Sequence, residues 1–272
     1  MPIISLSSLS YTNDVAIAQE TCSRLKYRFV GPELYREASE RSGTPVEILE
    51  RALTEPIRSL GFAFTMRQEC LAHVQAAVSA HALKDDVLYQ CPFGAHMIQG
   101  VSHLLKVRLC ARIEDRVALR SQREGCSPDA SNTAIAKEDK GRLELANKLF
   151  GVDDDSKDIY DLVLDLSRLD MGEAAEAIVD AARNSRYSPT TYSVRRMEDQ
   201  ELGHRIRAVL VDLDPHVGVQ VASRKVRIRI RARGWAKKKT IATADERARR
   251  QGVESVTIET VRDLMDRPSY LH

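Results

Sequence analysis

The first residues that could bind a charged ligand lie at a strand-to-helix junction near the start of the chain. Residues 3–6 form an apolar stretch typical of a buried strand, and residues 15–24 have the spacing of an amphipathic helix. Such a junction binds phosphate when glycines let backbone N–H groups point inward, with the helix dipole behind them. The first glycine of this chain is Gly31, and no GxxxxGK[ST] motif occurs anywhere in it.

Polar residues occupy the junction instead of glycines. Thr12, Asn13 and Asp14 are residues that often cap helices, so we expect their side chains to accept the first N–H groups of the helix. Asp14 also brings a carboxylate to the position where a phosphate would dock. At ~4 Å and an effective dielectric constant of ~20, that repulsion costs about 4 kcal/mol. Micromolar binding is worth only about 8 kcal/mol, so we expect this junction not to support phosphoryl transfer.

Basic side chains alternate with apolar ones along residues 225–233. This alternation predicts a half-buried strand whose charged side chains stand ~6.6 Å apart along one face. Nine basic residues and no acid lie between Asp214 and Asp245, together with Trp235. Nucleic acid, anionic lipid headgroups and an acidic protein surface would all fit such a face, and a solvated basic face is the alternative. The predicted anion-binding residues are Arg227, Arg229, Arg231, Arg233, Lys237, Lys238 and Lys239.

Charge divides the chain of 272 residues into two predicted modules. Residues 194–272 carry 18 Lys and Arg against 11 Asp and Glu, a net charge of +7, whereas residues 1–193 carry 23 against 28, a net charge of −5. Such an asymmetry indicates modules with different partners. Residues 184–193 are polar and interrupted by Pro189, which is typical of a linker. We therefore predict a first module at 1–183, a linker at 184–193 and a basic second module at 194–272.

Strands and helices alternate in the first module. Strands are predicted at 3–6, 87–91, 104–110 and 160–165, and helices at 15–24, 32–41, 45–53, 66–81, 111–124, 135–150 and 172–182. This order predicts an α/β fold in which a parallel sheet is covered by helices on both faces.

Four blocks of the first module together resemble the cytidylate-kinase-like family, a branch of the P-loop nucleoside monophosphate kinases. They occur in the family's order over residues 1–183: IISLSS with AIAQETCSRL, GPELYREASERSG, GAHMIQGVSHLLKVRLCARIEDRV, and KEDKGRLELANKLFGVDDDSKDIYDLVLDLSRL. The resemblance implies a P-loop-kinase-like fold with a phosphate loop, a monophosphate subdomain and an arginine-bearing lid. For an active member it would also imply ATP and Mg²⁺.

Only part of the family's pattern is retained. Asp139 and Arg142 match the lid pattern Arg-x-x-Asp-x-x-Arg, whereas Ala136 takes the place of its first arginine, with Lys137 beside it. The resemblance therefore implies that Asp139, Arg142 and Lys137 are the residues that would hold a nucleotide. Other family positions have changed: Gly31 replaces an acid, and Asp165 replaces an asparagine.

The second module reads as a small α+β unit. A helix is predicted at 199–213, two alternating strands follow, and a helix at 240–251 leads to a last strand at 253–261. This αββαβ order resembles a BON domain. Many domains of that family associate with membranes or lipid, and others belong to cytoplasmic proteins.

These observations favour a non-catalytic, cytidylate-kinase-like protein that acts as a regulatory or scaffold module, with a basic BON-like module for an anionic partner. One alternative is a residual CMP- or ATP-binding kinase, and another is a protein that binds nucleic acid or anionic lipid. Five widely spaced cysteines without a CxxC pair indicate a reducing cytoplasm rather than a disulfide framework or a zinc site. We expect no metal site, no transmembrane segment and no signal peptide, and we allow for association with a second copy.

Overall fold

Five parallel strands form the first sheet, in the order β2-β3-β1-β4-β5. Their bounds are β1 (Ile3–Ser8), β2 (Arg28–Val30), β3 (Val87–Gln90), β4 (Leu104–Cys110) and β5 (Leu162–Asp165). The computed structural model describes residues 2–56, 63–84, 86–232 and 236–261. The parallel sheet predicted from the alternating elements is thus confirmed.

Helices cover both faces of this sheet. Their bounds are α1 (Asp14–Leu25), α2 (Glu33–Ser42), α3 (Val46–Thr54), α4 (Phe64–Ala82), α5 (Gly94–Met97), α6 (Ile113–Glu124), α7 (Pro128–Phe150) and α8 (Met171–Ala182). Consecutive residues of β1 belong to different cores, because side chains alternate across a strand. Ile3 packs in the core beneath α2, α3 and α4, and Ile4 packs in the core beneath α1 and α8.

A second, mixed sheet has the order β6-β7-β8. It comprises β6 (Gly218–Ala222), β7 (Lys225–Arg231) and β8 (Ser255–Val261), with α9 (Thr191–Leu210) before it and α10 (Lys237–Arg249) inserted before β8. β7 is antiparallel to β6 and parallel to β8. This is the αββαβ order that the sequence predicts.

Helix α9 is longer than the sequence predicts and packs against both parts of the chain. It begins at Thr191, inside the predicted linker at 184–193, and a capping box between Thr190 and Ser193 fixes its start. Met197 belongs to the core of the first sheet, whereas Leu202 and Ile206 belong to the core of the second. One continuous helix therefore joins the two sheets.

Polar contacts hold α9 against α4. The His204 Nδ1 atom lies 2.5 Å from the Ser79 Oγ atom, and Arg207 donates to the side-chain oxygens of Gln75 at 2.7 Å and Gln68 at 2.8 Å. Among the described helices, none is both long enough and apolar enough to cross a membrane.

Candidate functional site

The carboxyl ends of the parallel strands open into a cavity of about 720 Å³, which we call the edge cavity. Its wall includes Ser8 at the end of β1, Gln90 at the end of β3 and Arg108 on β4. Open parallel sheets bind their ligands outside the carboxyl ends of the strands. The edge cavity is therefore the first candidate for a functional site.

The Asp14 carboxylate lies in this cavity, at the first turn of α1. Its Oδ2 atom accepts hydrogen bonds from the Ser8 hydroxyl and, at 2.6 Å, from the Gln90 side-chain amide. Its Oδ1 atom accepts the backbone N–H of Val15 at 3.0 Å. A negative charge is favourable at a helix N-terminus. The protein's own carboxylate thus uses a backbone N–H and two side-chain donors at this junction.

The predicted helix capping is wrong for two of the three residues. Asn13 makes no capping hydrogen bond with its side chain and instead accepts a hydrogen bond from Arg123 on α6 at 2.8 Å. The Thr12 hydroxyl donates to the Leu9 carbonyl at 3.0 Å. A guanidinium is a stronger donor than a neutral backbone N–H, so contact with α6 redirects Asn13.

The lid residues predicted from the family pattern lie on α7. Asp139 and Arg142 line the edge cavity, whereas Lys137 is exposed and lies outside the lining. Asp139 accepts two parallel hydrogen bonds from the buried Arg116, each 2.8 Å long. Arg116 also donates to the carbonyl of Ser10 at 2.9 Å, so this pair ties α7 to the turn before α1.

Asp154 is the centre of a buried polar cluster at the base of the edge cavity and is only 1% exposed. It accepts hydrogen bonds from Arg142 and from the Tyr160 hydroxyl at 3.0 Å, and its carboxylate lies 2.8 Å from His96 Nε2 and 3.4 Å from Arg108. Burial by itself would raise the pKa of Asp154. The hydrogen bond with His96 and the charges of the two arginines outweigh it and lower that pKa.

Acidic residues outnumber basic ones in the described lining of the edge cavity. Arg108 and Arg142 are the basic residues of its described lining, and both already contact Asp154. Arg142 also bonds the exposed Asp155 at 2.7 Å. Because the arginines are engaged by carboxylates, little positive charge is left for a polyphosphate. The acidic residues of the lining are Asp14, Glu33, Glu50, Glu138, Asp139 and Asp154.

The arginine-rich strand is β7, and its predicted alternation is confirmed. Val226, Ile228 and Ile230 are buried, while the arginines between them lie on the opposite face. Acidic side chains lie close to this row of arginines. Arg227 lies 3.5 Å from Glu259, and Arg231 lies 3.2 Å from the buried Asp214.

The sequence pattern suggested one acid, Glu259, against this row, and Asp214 is a further acid that the pattern did not show. Lys237, Lys238 and Lys239 form the first turn of α10, three residues before the predicted helix start. Arg233 and Trp235 lie outside the described residues. The anion-binding role of these residues stays a prediction. Among the described residues, no group of three or more His, Cys, Asp or Glu side chains is arranged to hold a metal ion.

Comparison with known proteins identifies the family. Residues 3–168 match the sequence model of the cytidylate kinase-like family. A cytidylate kinase from Methanopyrus kandleri (strain AV19) is 24% identical over 176 residues, which cover 61% of this chain and 85% of the relative.

The fold has a counterpart among solved structures. An uncharacterized protein from Eubacterium ventriosum aligns with a TM-score of 0.51 and 12% identity, over 66% of this chain and 97% of that one. A shikimate kinase from Acinetobacter baumannii, solved in complex with shikimate, aligns with a TM-score of 0.41 and 9% identity, over 66% of this chain and 92% of its own.

Because the family model matches more than half of the residues of this chain, this chain belongs to the cytidylate kinase-like family.

Proposed function

We propose that this chain is a non-catalytic member of its family, which retains the kinase-like fold as a regulatory or scaffold module. The observation that carries the proposal is the Asp14 carboxylate, bonded to Ser8 and Gln90 where α1 begins. A glycine-rich loop would offer backbone N–H groups to a phosphate at this place. Here the junction offers a negative charge, so we interpret it as a degenerate phosphate loop.

The residues of the edge cavity do not fit ATP with Mg²⁺. A transferring phosphoryl group needs positive charge aimed at its oxygens. The cavity provides Arg108 and Arg142, whose guanidinium groups contact Asp154 and Asp155. A nucleotide would have to break these pairs and tolerate Asp14 nearby. Association with a second copy stays part of the scaffold proposal.

A residual nucleotide-binding role is the second candidate, and one observation favours it. The Ser7 hydroxyl lines the edge cavity, is 3% exposed and has no hydrogen-bond partner among the described residues. A buried hydroxyl without a partner costs free energy, which a ligand could recover. Phe29 and Tyr35 in the same lining provide apolar surface for a base. In this alternative, CMP or ATP would bind through Asp139, Arg142 and Lys137 without efficient transfer.

For the second part of the chain, we propose a BON-like module, residues 194–272, linked by 184–193 to the kinase-like module, residues 1–183. Its basic face would bind an anionic partner, and nucleic acid, anionic lipid headgroups and an acidic protein surface are the three classes to compare. Support comes from the αββαβ order and the net charge of +7. We also propose a cytoplasmic location, since all five cysteines are free thiols.

A phosphoryl-transfer assay tests the non-catalytic proposal. The purified chain is incubated with ATP, CMP and Mg²⁺, and an active cytidylate kinase is assayed in parallel. We expect no CDP above the rate without protein. Turnover that disappears in an Arg142→Ala variant of preserved circular dichroism would contradict the proposal, because it would place transfer in the edge cavity.

A further inference from the structure

A second cavity, of about 590 Å³, lies where α4 and α9 meet the second sheet; we call it the interface cavity. Its walls come from α4 through Gln68 and Gln75, from α9 through Arg196 and Arg207, and from β7 through Lys225. Pockets that hold small organic ligands typically span about 300–1,000 Å³. The interface cavity therefore has room for a molecule of the size of a mononucleotide.

Positive charge dominates this lining. Four cations, Arg196, Arg207, Lys225 and Arg227, stand against a single carboxylate, Asp199, among the described lining residues. That carboxylate accepts the backbone N–H groups of the β6–β7 turn, from Ser223 at 3.0 Å and Arg224 at 3.3 Å. Arg227 has a partner outside the lining, Glu259. The balance is the reverse of that in the edge cavity, where carboxylates outnumber arginines.

Arg207 brings one of these charges into the protein interior. It is 7% exposed, and its guanidinium donates to the side-chain oxygens of Gln75 and Gln68. These two partners are neutral amides, and they fix the orientation of the guanidinium. Because each glutamine oxygen faces Arg207, each amide keeps its NH₂ group to donate elsewhere.

The pKa of His204 responds to burial and, less strongly, to two of these charges. Burial first, and then the charges of Arg207 and Arg196, lower the pKa of His204 to about 3. The histidine is therefore neutral at physiological pH and adds no charge of its own.

The rest of the lining suits an organic group. Leu71, Met97, Phe150 and Val221 contribute apolar surface, and Gln99 and Gln220 contribute further amides. Apolar walls with a few polar groups are typical of small-molecule sites, and side-chain amides can both donate to and accept from a heterocycle. A simple inorganic anion would leave most of this surface unused.

We propose that the interface cavity binds a small phosphorylated organic molecule, such as a mononucleotide, with Arg196, Arg207 and Lys225 holding its phosphate. The ligand would contact both the helices of the first sheet and the strands of the second, so it would fix their relative placement. This site is separate from the edge cavity and goes beyond the proposed function.

Isothermal titration of the full chain with CMP, GMP, cytidine and inorganic phosphate tests this proposal. We expect both nucleotides to bind, inorganic phosphate to bind at least tenfold more weakly, and cytidine not to bind. Arg196→Ala should weaken nucleotide binding at least tenfold. The matched control is Arg195→Ala, which removes the same charge from the preceding, exposed residue of α9 and should change the affinity less than twofold.

Lys225→Ala provides an independent check if Arg196→Ala fails to fold, since Lys225 is exposed on the second sheet. It should also weaken CMP binding several-fold, and raising NaCl from 50 to 200 mM should weaken binding by the wild type. Two results would overturn the proposal. One is no nucleotide binding at millimolar concentration, and the other is binding that survives both substitutions but is lost in Arg142→Ala. The second would place the ligand in the edge cavity and would contradict the proposed function as well.

Discussion

The side-chain amide of Gln90 donates to the carboxylate of Asp14 at 2.6 Å, joining the end of β3 to the start of α1. The Ser8 hydroxyl donates to the same oxygen. These contacts satisfy the carboxylate at the place where phosphate-binding proteins with this fold expose bare N–H groups. The edge of the sheet thus presents a hydrogen-bonded carboxylate at the start of α1.

Neutralising Asp14 should make the junction more tolerant of anions. The test is made in an Arg196→Ala background, in which the interface cavity binds its ligand more weakly. Adding Asp14→Asn to this background should tighten pyrophosphate binding about tenfold, because a nearby like charge is removed. Glu20→Gln makes the same charge change on an exposed part of α1, where Glu20 pairs with Arg24, and should have no such effect. Isothermal titration measures both variants. Equal affinities would mean that the Asp14 charge does not exclude anions.

Asp154 should contribute far more to stability than its neighbour. Asp154→Asn leaves two arginines without their buried carboxylate, and we expect the free energy of unfolding to fall by about 3–5 kcal/mol. Asp155 bonds the same Arg142 but is 53% exposed, so Asp155→Asn should cost less than about 1 kcal/mol. Urea denaturation followed by circular dichroism compares the two. Similar losses would show that burial of Asp154 does not increase its contribution to stability.

His204 should make the protein sensitive to mild acid. The unfolded chain takes up a proton at this residue near pH 6.5, whereas the folded chain does so only near pH 3. Between these values the unfolded state binds more protons, so stability falls as the pH falls, by up to about 1.4 kcal/mol per pH unit. In His204→Gln this contribution is absent. Stability curves of the two proteins from pH 7 to pH 4 should diverge, and parallel curves would contradict the assignment.

Gly141→Ala should destabilise the chain although alanine favours helices. Gly141 lies on α7 between Asp139 and Arg142, and an added Cβ would lie 2.8 Å from the ring of Pro56. Alanine would gain about 1 kcal/mol in helix propensity, but overpacking against a rigid ring costs about 1–3 kcal/mol. We expect a net loss of stability in urea denaturation. A more stable variant would mean that α7 can move away from Pro56 at no cost.

Periodicity and resemblance predicted most of the architecture. β1 and β4 each begin with two large apolar residues in a sheet covered on both faces, and β7 alternates strictly, so their patterns could be recognised. β2 was missed because a strand of three residues, beginning with the exposed Arg28, is too short to show the two-residue alternation of a strand. Helix α7 begins at Pro128, whereas the predicted helix begins at residue 135. A local signal for the earlier start was present in the Ser127 cap followed by Pro128. The start of α9 had one too, in Thr190 and Ser193.

The charge pairs of the edge cavity depend on contacts that local sequence does not encode. Arg116 reaches Asp139 across 23 positions, and Gln90 reaches Asp14 across 76. Asp139 and Arg142 could be predicted as cavity residues from the family pattern, but their acidic or basic partners could not. The interface cavity was equally unpredictable, because it exists only where α9 crosses from one sheet to the other.

Isothermal titration of the Arg196→Ala variant with ATP, CTP and CMP in the presence of Mg²⁺ tests the central claim most directly. This substitution weakens nucleotide binding to the interface cavity and leaves the lining of the edge cavity unaltered. The account predicts that any nucleotide affinity left in this variant does not change when Arg142→Ala is added, because Asp14 and the paired arginines leave no place for a phosphate in the edge cavity. Micromolar binding that is lost when Arg142→Ala is added to the folded variant would contradict it, since the edge cavity would then be a working nucleotide site.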